Sequence, residues 1–96
     1  MKITWSACAL SDRDAIFTYI EADNPSAAVM IDERIIAAVR RLSDFPVSGR
    51  VGRIAGPREL VIGGTPVAAY AVTEISVRIL RILHGAQEWP DTVPAS

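Results

Sequence analysis

The side chains able to do chemistry crowd into the second half of this 96-residue chain: Arg50, Arg53, Arg58, Glu59, Tyr70, Arg78, Arg81 and His84. Arginine is a permanent, planar cation with five donors, suited to phosphate or carboxylate. Residues 40–81 hold seven arginines against Asp44, Glu59 and Glu74, a local charge of +4. Residues 1–39 carry −3 and residues 82–96 carry −2, so the formal total of −1 hides a basic segment between acidic ones. Such a segment suits an anionic partner surface even in a nearly neutral protein.

Arg81 interrupts the most apolar stretch, Val77 to Leu83, where a buried guanidinium must be paired and hydrogen-bonded. Two readings stay open for it: a structural ion pair with Glu59 or a helix carboxylate, or an anion-binding arginine on an open sheet face. His84 ends the same stretch and is the sole histidine, able to move a proton near neutral pH or to serve as a hydrogen-bonded structural group. In a straight strand, positions 81 and 84 point to opposite faces and converge only if the strand bends or bulges between them. Arg58 and Glu59 alternate in the same way. Tyr70 reads first as a core residue.

The pattern excludes several chemistries. No second histidine, metal-ligand spacing, phosphate loop or dinucleotide fingerprint is present, so neither a metal nor a cofactor is expected. Gly49-x-x-Gly52 and Gly63-Gly64 read as turn glycines, since no helix follows to hold a phosphate. Cys8 stands alone and cannot form an intrachain disulfide. The N-terminus lacks the apolar core of a signal peptide, and no run approaches the ~18 apolar residues of a membrane span. A cytoplasmic protein is the expectation. Its mean hydropathy of +0.26 is high for a small chain and hints at apolar surface covered by a partner.

The elements that must position these groups follow from periodicity. Lys2 to Ser6 alternates like a short strand. Ala7 to Ala22 carries Leu10, Ile16, Phe17 and Ile20 at helical spacing, with Asp12 and Asp14 placed near its positive end. Asn24 and Pro25 suit the N-cap and first position of a second helix. That helix shows one stripe of Ala28, Ile31, Ile35, Ala38, Val39 and Leu42. Residues 46–57 read as loop. Extended runs at 59–62, 67–73 and 77–84 with short links make an antiparallel meander, its last strand central. The order gives an α+β protein: a short N-terminal strand, an antiparallel helical hairpin, then a three-stranded antiparallel meander. Residues 1–90 form the single domain and 91–96 a flexible tail.

The ordered set of residues resembles the RelE/ParE superfamily of toxins from bacterial type II toxin–antitoxin systems. The resemblance is carried by Trp5, Ile16-Phe17-Thr18-Tyr19-Ile20, Asn24-Pro25-x-Ala27-Ala28 and Phe45-Pro46. It continues through Gly49-Arg50-x-Gly52-Arg53, Gly56-x-Arg58-Glu59-Leu60-Val61, Ile79-Leu80-Arg81-x-Leu83-His84 and Trp89-Pro90. It implies a helical hairpin on a twisted sheet, and a cognate antitoxin from the same operon, through which alone the complex would reach operator DNA.

The resemblance also implies one of two activities. RelE-like members cleave mRNA on the ribosome; here Arg58 or Arg81 would stabilise the phosphate and His84 would move a proton. ParE-like members poison DNA gyrase, and Arg50, Arg53, Arg58, Arg78 and Arg81 would then serve target or antitoxin binding. His84, and a C-terminal segment without Lys, Arg or Tyr, favour the ParE-like branch. A weakened toxin acting mainly as corepressor is the third reading. One departure stands out: relatives commonly place an aromatic residue where this chain has Val67, and Val67–Tyr70 looks one residue short. Such a loss flips the faces of a strand unless something absorbs it.

Overall fold

The computed structural model describes residues 1–51, 56–63 and 66–84. Strand β1 (Lys2–Trp5) leads into helices α1 (Ala7–Glu21) and α2 (Pro25–Arg41), followed by β2 (Arg50–Val51), β3 (Arg58–Val61), β4 (Val67–Val72) and β5 (Ser76–Leu83). The strands form one five-stranded sheet in the order β1-β5-β4-β3-β2.

Two details differ from the expected meander. β3, β4 and β5 are antiparallel neighbours as expected, but β1 joins β5 in parallel, so the sheet is mixed. Within the segment expected to be loop, Arg50 and Val51 pair with Glu59 and Arg58 as β2. Pro46 and Val47 do form a turn, yet glycine and proline density hid a two-residue strand too short to leave a periodic signal.

Both helices begin on designed caps. Ser6 accepts from the Ala9 N–H at 3.0 Å and Asn24 from Ala27 at 3.1 Å, with Pro25 at the first helical turn. α2 buries Ala28, Ile35, Ala38 and Val39, with Leu42 at its end, as the stripe requires. α1 departs from expectation. Its buried residues are Ala9 and Ile16, whereas Leu10 is 50% exposed. Asp12 and Asp14 lie beyond the first turn, so Asp12 has left the helix dipole for a tertiary partner.

The helices pack on one sheet face through Ile16, Ile35, Val39, Tyr70, Val77, Ile79 and Ile82. Residues 79 and 82 differ by an odd number, and alternation would send them to opposite faces. They share the core because the β4–β5 register shifts: Ala69 pairs with Arg81 but Tyr70 with Ile79, leaving Leu80 as the extra residue of a bulge. β4 is thus one residue short of β5 over their paired stretch, and the bulge accommodates the difference between the two strands.

Candidate functional site

Register sorts the candidate groups into rows. Arg50, Glu59, Ala69 and Arg81 stand opposite one another across β2, β3, β4 and β5, and so share a sheet face. Val51, Arg58 and Tyr70 form the next row, on the face covered by the helices. Arg58 and Glu59 therefore point apart, as alternation demanded.

Arg81 resolves in favour of the helix carboxylate. Its Nε donates to Asp12 Oδ2 at 2.6 Å and its Nη2 to Asp12 Oδ1 at 3.0 Å. The Ile82 N–H donates to the same Oδ2 at 3.0 Å. The location explains the pairing. β1 ends at Trp5, so beyond Ile79 the edge of β5 loses its strand partner. The start of α1 replaces it: the Ser6 hydroxyl donates to the Leu80 carbonyl at 2.8 Å, and Asp12 takes the Ile82 N–H. The Asp12 hydrogen bond raises the pKa of Arg81 above its ordinary value, against a smaller opposing effect of burial.

A second cluster forms where β2, β3 and β4 meet. Tyr70 is fully buried, and its hydroxyl accepts from the Gly49 N–H at 2.9 Å. Arg58 Nη1 donates to the Gly49 carbonyl at 3.0 Å, so both polar atoms of Gly49 are held. Gly49 was legible only as a turn residue, but its φ is not positive. It is glycine because a Cβ would collide with the Tyr70 hydroxyl and come within 2.8 Å of the Glu59 carbonyl oxygen. Arg50 donates to Glu59 Oε1 through Nη2 at 3.1 Å and Nε at 3.3 Å, neutralising a carboxylate that is 3% exposed. The Arg50 side chain remains 56% exposed.

Arg78 and His84 are both half-buried and both already engaged. His84 follows the end of β5, while Arg58 opens β3, and these strands run in the same direction. Four residues along and two strands across put them roughly 16 Å apart, on opposite ends of the sheet. Arg58 and His84 are therefore not gathered into one cleft, and Arg81 lies on the sheet face opposite Arg58. Arg53, Trp89-Pro90 and the expected tail at 91–96 lie outside the described residues. Sequence reasoning offered a helix carboxylate for Arg81 without singling out Asp12, and read Gly49 as a turn residue, because no local signal shows either tertiary contact. Among the described residues no metal-ligand cluster occurs, and no helix is long and apolar enough to cross a membrane.

This hairpin-on-sheet architecture defines a class. Residues 3–89 match the family described as ParE toxin of type II toxin-antitoxin system, parDE, and the chain belongs to that family. It is 41% identical over 93 residues to "Putative toxin Y4kP" of Sinorhizobium fredii, covering 96% of each chain. It is also similar to Toxin RelE2 of Caulobacter vibrioides, 36% identical over 86 residues, covering 90% of this chain and 97% of the relative. A solved structure titled Chromosomal ParDE TA system from P. aeruginosa superposes with a TM-score of 0.79 at 26% identity, covering 88% of this chain and 95% of that one. The protein is a toxin of a ParDE-like type II toxin–antitoxin system.

Proposed function

We propose that this toxin arrests growth by binding DNA gyrase, and that a cognate antitoxin neutralises it in the cytoplasm. The observation that carries this reading is the employment of its cations. Arg81 is closed on Asp12 through two hydrogen bonds, and Arg58 is spent on the Gly49 carbonyl. Arg58 lies far from His84 along the sheet, and Arg81 is already closed on a carboxylate, which leaves neither poised for electrostatic catalysis at a scissile phosphate. Arg50, although paired with Glu59, keeps more than half its side chain in solvent and offers a docking charge, with Arg78 and Arg53 as further contacts.

Purified, antitoxin-free protein tests this in a gyrase assay that scores loss of supercoiling and accumulation of cleaved DNA. Inhibition near stoichiometric toxin is the expected result. A second reading, ribosome-dependent mRNA cleavage, draws support from the relative named Toxin RelE2. It predicts untouched gyrase and position-specific cuts in translated mRNA that vanish with His84→Ala. Soluble protein that harms neither gyrase, mRNA nor growth would leave the corepressor role.

A further inference from the structure

We infer that the end of the molecule built around the β4–β5 turn is the face that docks gyrase, with Ile75 and Phe45 as its apolar anchors. The inference rests on the gyrase reading and assigns the surface and the chemistry of that contact. Chain direction supplies the first argument. β4 runs into the turn at Thr73 to Ser76 and β5 leaves it, while β1, parallel to β5, starts beside it. The Lys2 N–H donates to the Ile75 carbonyl at 3.4 Å, and the Ser43 hydroxyl donates to the Met1 carbonyl at 2.6 Å. The end of α2 thus meets the start of β1 at this turn, and Phe45 and Ile75 come out at one end of the fold. Ile75 is 81% exposed and Phe45 63%, with Met1 exposed beside them, so the core does not use these side chains. Large apolar groups gathered on a folded surface mark an interaction site.

Rigidity supplies the second argument. The Thr73 N–H donates to the Ser76 carbonyl at 2.8 Å, and its hydroxyl accepts from the Ser76 N–H at 2.9 Å and the Ile75 N–H at 3.4 Å. The turn therefore holds Ile75 outward before any partner arrives, and a preordered anchor loses little entropy on binding. The third argument is charge. Lys2, Arg40 and Arg41 are exposed at this end, against Asp44 and Glu74. β2 pairs antiparallel with β3, and β3 with β4, so β2 runs towards the same end and brings the docking cation Arg50 alongside. A second copy would set cation against cation across an identical face. The apolar anchors favour a protein surface over the DNA that gyrase holds. The occupant is an apolar patch of gyrase rimmed by carboxylates.

The test titrates gyrase inhibition by the native protein, Ile75→Ser, Phe45→Ser and, as a control, Tyr19→Ser. Tyr19 is 78% exposed but precedes the turn into α2, whose 17 residues carry the chain about 26 Å back to Ser43. Expected is a rise of about ten-fold or more in the half-inhibiting concentration of Ile75→Ser and of Phe45→Ser. Their unfolding midpoints, and their affinity for the polypeptide encoded beside the gene, should stay native, and Tyr19→Ser should inhibit like the native protein. Native inhibition that both variants retain overturns the docking face alone. A loss that tracks a lowered unfolding midpoint, or that appears equally in antitoxin affinity, assigns these side chains to the fold or to the antitoxin and overturns it as well. A native dimer that Ile75→Ser splits puts a second copy there, with the same consequence. No inhibition by the native protein overturns the gyrase reading and the docking face together.

Discussion

The carboxylate of Asp12 binds both the Arg81 guanidinium, at 2.6 and 3.0 Å, and the backbone N–H of Ile82, joining the first helix to the last strand across 70 residues of chain. Both side chains are mostly buried, at 23% and 14% exposure. Truncating one partner strands the other, which costs more than the pair contributes net. Asp12→Ala should lower stability by about 2–3 kcal/mol in urea unfolding, and Asp12→Asn by less, since its amide oxygen can still accept from Ile82. Equal losses from the two variants would mean that the backbone bond is incidental.

The same pair fixes a pH expectation. The folded pKa of Arg81 is raised, so its contribution is fully present below the ordinary arginine value and is lost only as pH rises through the higher folded value. The stability difference between the native protein and Arg81→Met should therefore be the same at about pH 7 and about pH 10. Denaturant midpoints for both proteins at the two pH values check this.

Gly49 should tolerate no side chain. Gly49→Ala drives a Cβ into the Tyr70 hydroxyl and towards a backbone oxygen, an overpacking worth about 1–3 kcal/mol. Tyr70→Phe, which leaves the Gly49 N–H without its acceptor, should cost about 1–2 kcal/mol. Thermal unfolding of both variants measures the two costs. A neutral Gly49→Ala would show that the loop moves freely away from β3 and β4.

The gyrase reading separates the two ends of the sheet. His84→Ala should leave gyrase inhibition within about two-fold of the native protein, since a binding poison needs no proton transfer. Arg50→Lys, which keeps a cation beside the buried Glu59 but loses the planar guanidinium, should weaken it several-fold with an unchanged unfolding midpoint. Titration of toxin against a fixed amount of gyrase reads both, and the reverse ranking would favour nuclease chemistry.

How much of this was legible beforehand varies by element, and the reason is range. The α2 stripe and the Asn24-Pro25 start are written within a few residues, because helical caps and periodicity are local. The α1 stripe was read less well: Leu10 matched the helical spacing, but α1 meets its neighbours through Ala9 and Ile16, whose small or lone side chains give a weak period. β2 was missed because two residues cannot display alternation.

The sequence by itself determined the α+β order, the helical hairpin, the family resemblance and the list of side chains with chemistry to offer. It also restricted Arg81 to a few partners, because an arginine amid Val77, Ile79, Ile82 and Leu83 cannot remain unpaired. Only the tertiary structure decided which partner. Asp12 reaches Arg81 because β1 stops at Trp5 and the bulge at Leu80 presents the Ile82 N–H along the vacated edge of β5. Strand ends, bulges and parallel pairing depend on contacts between residues far apart in the chain, and no local pattern of residue types encodes them.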